Sequence, residues 1–269
     1  EHLTEALVTN ACHLAAHTLR AYLTRNEEEL HQVLALSPQD TYARYALWLL
    51  TGREVEAFIR SRPQDVIDAA LDFMRAGLNT EAASVLKTCT CPNQLVACYE
   101  AHVTGGTFEA SEMKLCFPNR LEDIAVLAYF PHAWQAQYLL GCLYYDRMNY
   151  AAARTAWEES ARLNPDDAFT WRNLAQALYD HFGEKEEARA CLEKALRLDP
   201  ENARIVYELL QLYKNINMPV KDRLAFLEAH AALARQRDDC FLDMIVLYMQ
   251  EGRFEKAREL LLSKRFNIY

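Results

Sequence analysis

Two prolines, Pro165 and Pro200, stand 35 residues apart, and each closes a stretch of similar layout. Before the first lies WQAQYLLGCLYYDRMNYAAARTAWEESARLNP, residues 134–165, which reads as a helix, a short turn and a second helix. Its apolar or small residues fall at Leu140, Gly141, Tyr144, Ala153, Trp157 and Ser160. The first helix sets small residues beside large ones so that a neighbour can approach closely. Ala153 falls where the two helices cross. Pro165 ends the second helix, because proline lacks the N–H and clashes with the preceding turn. A chain made of such hairpins must bury the face of each against the next, which leaves few folds open to it.

The same layout recurs downstream. A second unit opens near Ala168 with Trp171, Leu174, Ala175 and Leu178, and continues after one inserted residue around 181–183 with Ala188, Leu192 and Ala195. A third opens at Ala203 with Val206, Leu209, Leu210 and Tyr213, and its second helix, 223–233, is less regular. A fourth, from Asp238, carries Phe241, Met244, Ile245, Tyr248, Gly252, Ala257 and Leu261. Upstream the pattern is degraded but legible. Residues 63–86 hold the register with Val66, Ala69, Ala70, Phe73, Gly77, Ala82 and Leu86. Residues 4–38 fit two helices ending in LALSP, an echo of LRLDP at 196–200. One amphipathic helix is predicted over 40–50 with a short partner at 54–59, and another first helix over 95–102. The least helical stretch is 103–120, with Gly105, Gly106 and Pro118. It reads as an irregular connection inside a continuous array, with a domain boundary as the alternative.

A period of about 34 residues, with aromatic, Leu–Gly, Tyr, Ala, aromatic and Pro at these offsets, resembles the tetratricopeptide repeat. The resemblance implies an all-α fold, a right-handed α-solenoid of antiparallel helix pairs. The whole of 1–269 is then one solenoid, degenerate over 1–133 and well formed over 134–266. The order of segments also resembles the C-terminal helical region of uncharacterised bacterial proteins that carry an N-terminal β-rich, mutarotase-like domain. FPNRLEDIAVL (117–127), YLLGCLYYDRMNYAAARTAWEES (138–160), RNLAQALY (172–179), RLAFLEAH (223–230), RQRDD (235–239) and ARELLLSKRF (257–266) carry that likeness. The chain ends in FNIY where those proteins continue with a Trp- and Gly-rich segment. This second resemblance implies a structural or dimerising half of a carbohydrate-related protein. The first residue is Glu rather than Met, which reads as a fragment of something longer.

Composition agrees with helices: only 7 Gly and 8 Pro punctuate 269 residues. With 38 acidic against 29 basic residues the formal charge is −9, and no Lys/Arg block offers a face for phosphate, so nucleic acid is not expected as a partner. The apolar runs, such as 45–50 and 124–130, are far shorter than a membrane span. The opening EHLTEALVTN lacks a basic and an apolar signal region. The eight cysteines are scattered, several at core-facing positions, which suits reduced thiols and a cytoplasmic setting.

Chemistry-bearing clusters are thin. Cys89, Cys91 and Cys98 with His102 lack the second close-spaced pair of a zinc site, and read as a turn with small thiols packed inward. His13 and His17 share a helical face, but HLAAH has no glutamate between them. Gly105-Gly106 lacks a following Lys-Ser/Thr, and no nucleophile elbow stands out. Asp166-Asp167 and Asp238-Asp239 read as helix starts. No catalytic residue, metal or cofactor is expected, and the chain does not read as an enzyme.

A binding function is expected instead. In tetratricopeptide stacks the first helix of each hairpin lines the concave face. On that resemblance the inward set here is Gln135, Tyr138, Tyr145, Phe169, Arg172, Gln176, Arg204, Tyr207, Gln211 and Lys214. Tyr and Arg suit anchoring of a protein or peptide partner, which could equally be an upstream domain of the same protein or a second copy in a homodimer. Arg172, Arg204 and Lys214 would form a positive strip able to receive a carboxylate, whereas Glu208 would repel one.

Overall fold

The structure is a computed structural model and describes residues 2–53, 62–91, 93–108 and 117–266. Among these residues every regular element is helical and there is no strand. The chain divides into two compact units, Glu1–Leu139 and Leu140–Tyr269.

The first unit runs through α1 (His2–Thr9), α2 (Leu14–Thr24), α3 (Glu27–Leu36), α4 (Thr41–Thr51), α5 (Pro63–Arg75), α6 (Asn79–Leu86), α7 (Gln94–Thr104), α8 (Glu122–Ala128) and the start of α9 (Trp134–Asp146). Residues 4–38 form three helices, not the two expected. The chain breaks at 10–13, where the His13 side chain caps α2 by accepting from the Ala16 N–H at 3.2 Å. Asp40 caps α4 in the same way, through the Ala43 N–H at 2.8 Å. The hairpin of α5 and α6 matches its sequence register. Val66, Ile67, Ala69, Ala70 and Phe73 are fully covered, and the rings of Tyr42 and Tyr22 meet Phe73 edge-on at 4.8 and 5.7 Å. Cys89 and Cys91 lie in the turn after α6, the first half-buried and the second exposed, while Cys98 is buried on α7. The short helix expected at 54–59, Cys116 and the final residues of FNIY lie outside the described residues.

The second unit continues with the end of α9 and then α10 (Tyr150–Leu163), α11 (Ala168–Ala177), α12 (Lys185–Leu198), α13 (Ala203–Asn215), α14 (Val220–Ala229), α15 (Ala231–Gln236), α16 (Asp238–Gln250) and α17 (Phe254–Leu262). Successive helices pack in series, α10 on α11, α11 on α12, α12 on α13, and α16 on α17. The helix starts follow local chemistry. Asn149, Asp167 and Asn202 each place a side-chain oxygen on free N–H groups of the following turn. Asp238 and Asp239 depart from that pattern. The helix begins at Asp238 itself, with Arg237 at the cap position, so both carboxylates stand in the first turn, where the helix dipole favours them.

The residue inserted near 181–183 is absorbed as a π-helical turn, Leu178–Phe182, closed by Gly183 at φ +70°. The widened turn swings His181 onto Tyr150, with the rings stacked 3.4 Å apart. The irregularity expected over 223–233 is a break at His230 between α14 and α15. Despite these local adjustments, α11, α13 and α16 begin at Ala168, Ala203 and Asp238, each 35 residues after the last.

Candidate binding groove

Between α11 and α13 lies a cleft of about 240 Å³. Ala175, Leu192 and Leu212 supply buried apolar surface to it. Its polar and aromatic lining comes from Arg172, Gln176, Tyr179 and Asp180 on one side and from Arg204, Tyr207, Glu208, Gln211 and Asn215 on the other. Helix periodicity puts 172, 176 and 179 on one stripe, and 204, 207, 208 and 211 on another.

The charges of this cleft are largely committed to one another. Arg172 grips Glu208 with two parallel bonds, Nε to Oε2 at 2.6 Å and Nη2 to Oε1. Arg204 adds a third from Nε to Oε1 at 3.0 Å. The side chains of Arg172 and Glu208 are only 14% and 26% exposed, so the pair is far less screened than a surface ion pair. Arg204 is 66% exposed. Gln211 donates to Asp243 of α16 at 2.8 Å. The Arg237 guanidinium lies 4.8 Å above the Tyr207 ring. Burial, and then the carboxylates of Asp239 and Asp243, push the Tyr207 hydroxyl above its usual pKa. Tyr207 is therefore a neutral donor near neutral pH.

A family model described as tetratricopeptide repeat matches residues 124–168 and 138–203. Residues 124–203 are therefore similar to tetratricopeptide repeats. Solved structures similar to the chain include "Functional Characterization of Pseudomonas Aeruginosa pilF", at 15% identity and a TM-score of 0.43 over 98% of this chain and 92% of that one. "Crystal structure of YrrB: a TPR protein with an unusual peptide-binding site" has 16% identity and a TM-score of 0.42, over 74% and 83%. "MamA 41-end from Desulfovibrio magneticus RS-1" has 17% identity and a TM-score of 0.39, over 82% and 93%. The β-rich, mutarotase-like domain implied by the second resemblance has no counterpart here, since the described residues are all-α.

Within the matched residues and the helices that follow them, five of the ten expected groove residues line the cleft: Arg172, Gln176, Arg204, Tyr207 and Gln211. Phe169 is 49% exposed at the start of α11. Lys214 is exposed and lines a smaller cleft of about 50 Å³ with Leu210, Arg223, Asp243 and Val246. Tyr145 is half-buried. Its ring lies 5.5 Å from Trp157, and its hydroxyl is 3.2 Å from His181 Nε2. In the first unit, Gln135 is half-buried. Tyr138 differs from the expectation: it is buried, 7% exposed, so packing has consumed its ring and leaves no side chain to present.

The expected positive strip is also altered. Glu208, read from sequence as a group that would repel an acidic ligand, is the anion that Arg172 and Arg204 already hold. Sequence reasoning missed Tyr179, Asp180 and Asn215, which line the cleft. Tyr179 was findable, because it stands 34 residues after Tyr145 and 35 before Lys214. Among the described residues no group of three or more His, Cys, Asp or Glu is placed to hold a metal ion, and no helix is long and apolar enough to cross a membrane.

Proposed function

We propose that the chain is a non-catalytic protein-interaction module whose second unit holds a partner segment in the cleft between α11 and α13. The observation that carries this reading is the pair Tyr207 and Arg204. Both sit on a helix whose opposite face is fully packed, with Ile205, Val206 and Leu209 buried, yet both remain at the rim of an open cleft. Tyr and Arg combine large contact area with directional donors, and dominate the energetics of protein contacts. The Arg172–Glu208 lock fixes both guanidinium groups before a partner arrives, which lowers the entropy cost of binding.

The test is site-specific photo-crosslinking in cells. A benzophenone amino acid replaces Gln176 in the cleft or Arg197 on the exposed side of α12. The expected result is a discrete protein adduct from position 176 and none from position 197. Identical adducts from the two positions, or none from 176, would remove the cleft as the binding surface.

A further inference from the structure

The connection between α6 and α7 holds two cysteines one residue apart, Cys89 and Cys91 on either side of Thr90. Its start is tied down. The Thr88 hydroxyl donates to the Val85 carbonyl at 2.7 Å and lies 2.9 Å from the hydroxyl of Tyr45, whose side chain is fully covered on α4. The Thr88 and Cys89 N–H groups donate to the Val85 and Leu86 carbonyls at 3.0 and 3.1 Å. The backbone at Cys89 is therefore fixed, and its thiol is turned along the chain. Its Sγ donates to the carbonyl of Cys91 at 3.4 Å. Cys89 is half-buried and Cys91 is exposed.

This pair suits the geometry of a disulfide. Such a bond joins residues whose Cα atoms lie about 4.4–6.8 Å apart. Two residues along a chain separate those atoms by at most about 7 Å, and only when fully extended. A slight bend brings them into range, and the Cys89 sulfur already lies against the backbone of Cys91. The two thiols also differ as an attacking and a resolving thiol should. Cys91 is open to a reagent in solution. Cys89 is partly covered, and burial pushes its thiol above the usual pKa, with the bond to the Cys91 carbonyl opposing and the Cys91 thiol adding to the rise. A covered thiol of raised pKa is slow to meet a reagent by itself.

We infer that Cys89 and Cys91 form a thiol–disulfide exchange site that reacts with a small-molecule disulfide of the glutathione class. The Cys91 thiolate attacks one sulfur of the reagent. The reagent's S–S bond breaks, a mixed disulfide between Cys91 and glutathione forms, and one glutathione thiolate leaves. The Cys89 thiolate then attacks the Cys91 sulfur, so that the mixed disulfide breaks, the Cys89–Cys91 bond forms and the second glutathione thiolate leaves. Each leaving thiolate takes up a proton in place of the one a cysteine gave to solvent. The dithiol is thereby oxidised by two electrons, and one glutathione disulfide is reduced to two glutathione molecules. The new ring clamps the α6–α7 connection, and an excess of reduced glutathione reopens it by the reverse steps. The site lies in the first unit and does not depend on the groove between α11 and α13.

The whole chain is equilibrated with mixtures of reduced and oxidised glutathione, quenched with acid, alkylated and digested with trypsin. Cleavage after Lys87 and Lys114 releases one peptide that carries Cys89, Cys91 and Cys98. In the parent chain this peptide is expected to lose the mass of two hydrogens, with the buried Cys98 left as a thiol. Cys12, exposed and far from any other cysteine in sequence, is expected to carry glutathione on the same chain and so reports that the reagent is active. In Cys89→Ser the reaction should stop at a glutathione adduct on Cys91, at a level roughly tenfold above the parent, because the resolving thiol is gone. In Cys91→Ser no disulfide should form, and Cys89 should carry several-fold less glutathione than Cys12. Excess reduced glutathione should restore both thiols in the parent. Both serine variants keep the size of the side chain and should unfold at the temperature of the parent.

A glutathione adduct on Cys91 of the parent at the level seen in Cys89→Ser would overturn the inference. So would a bond from either cysteine to Cys98 or to a second chain, or two unmodified thiols at a glutathione ratio that modifies Cys12. A Cys89–Cys91 bond that resists excess reduced glutathione would make it a structural disulfide and not an exchange site. Equal adducts on Cys89 in Cys91→Ser and on Cys91 in Cys89→Ser would overturn the order of attack.

Discussion

The indole of Trp157 lies where a side chain on Gly141 would begin. A Cβ built on Gly141 would stand 2.4 Å from both Cδ1 and Nε1 of Trp157, which is itself 3% exposed. Glycine is the weakest ordinary helix former, and alanine there would gain about 1 kcal/mol of helix propensity. The clash outweighs that gain, because a buried indole has no room to withdraw. Gly141→Ala should lower stability by up to about 2 kcal/mol net, overpacking costing about 1–3 against the gain of about 1. Thermal or urea melts of Gly141→Ala, Trp157→Phe and the double variant test it. The double variant should fall short of the sum, and a neutral Gly141→Ala would refute the contact.

The Arg172–Glu208 pair supports a second expectation. Glu208→Gln keeps the shape of the side chain but leaves a guanidinium, 14% exposed, facing a neutral amide. Removing one partner of a covered pair costs more than the pair contributes, because the other charge stays desolvated. Since neither group is fully buried, a loss of about 1–2 kcal/mol is expected. The double variant Arg172→Met, Glu208→Leu should lose less than Glu208→Gln alone. Urea melts check this, and the opposite order would show that the pair is held by its net attraction.

A pH dependence is expected at the start of the chain. His17 Nδ1 lies 2.8 Å from Glu29 Oε1, and Nε2 lies 2.9 Å from the Ala11 carbonyl, so the doubly protonated ring donates to both. The Glu29 hydrogen bond, and then the Ala11 carbonyl, raise the pKa above its ordinary 6.5, with burial and Arg20 opposing. Burial pushes Glu29 upward, but hydrogen bonds from Arg20 and His17 outweigh it and hold the carboxyl below 4.5. The stability from His17 is therefore fully present below pH 6.5 and lost as pH rises through the raised value. That from Glu29 is present above pH 4.5 and lost as pH falls through the lowered value. His17→Gln should cost most between these limits and less at pH 9, where the neutral ring keeps one of its two hydrogen bonds and loses the ionic part. A gap of equal size at pH 6 and pH 9, measured by urea unfolding, would exclude the ionic contact.

Asp123 is fully covered, and each carboxylate oxygen has a donor. Oδ1 accepts the Tyr99 hydroxyl at 2.5 Å, while Oδ2 accepts the Asn119 and Arg120 N–H groups at 2.8 and 2.9 Å. Burial first, and then Asp123, push the Tyr99 hydroxyl far above its usual pKa, so it remains a donor. Asp123→Asn must turn an NH₂ toward one set of these donors, and should cost about 2–3 kcal/mol. Tyr99→Phe deletes one bond and should cost about 1–2 kcal/mol. Amide hydrogen exchange should show residues 119 and 120 losing protection in the first variant and not in the second.

Much of the chain was legible from side-chain spacing. The 3.6-residue period and the caps at Asp40, Asn149, Asp167 and Asn202 act within a few residues, so they are written where they operate. The inserted residue near 181 was visible as a count. Its outcome, a π turn that stacks His181 on Tyr150, depended on a ring 31 residues away. Tyr138 shows a different limit. Its register marked it for the groove, but register gives a direction on a helix and not whether a neighbour will cover it. At Glu208 the sign of the charge was plain, while its effect required knowing which cations it meets.

The sequence by itself therefore determined an all-α chain of repeated hairpins, the register of its first helices and the small residues at their crossings. All of these follow from short-range sterics and a fixed period. Only the tertiary structure decided that Arg172 and Arg204 hold Glu208 and that Tyr138 is buried. Those outcomes depend on distances between residues remote in the chain, and pairing and burial are properties of the packed assembly of helices.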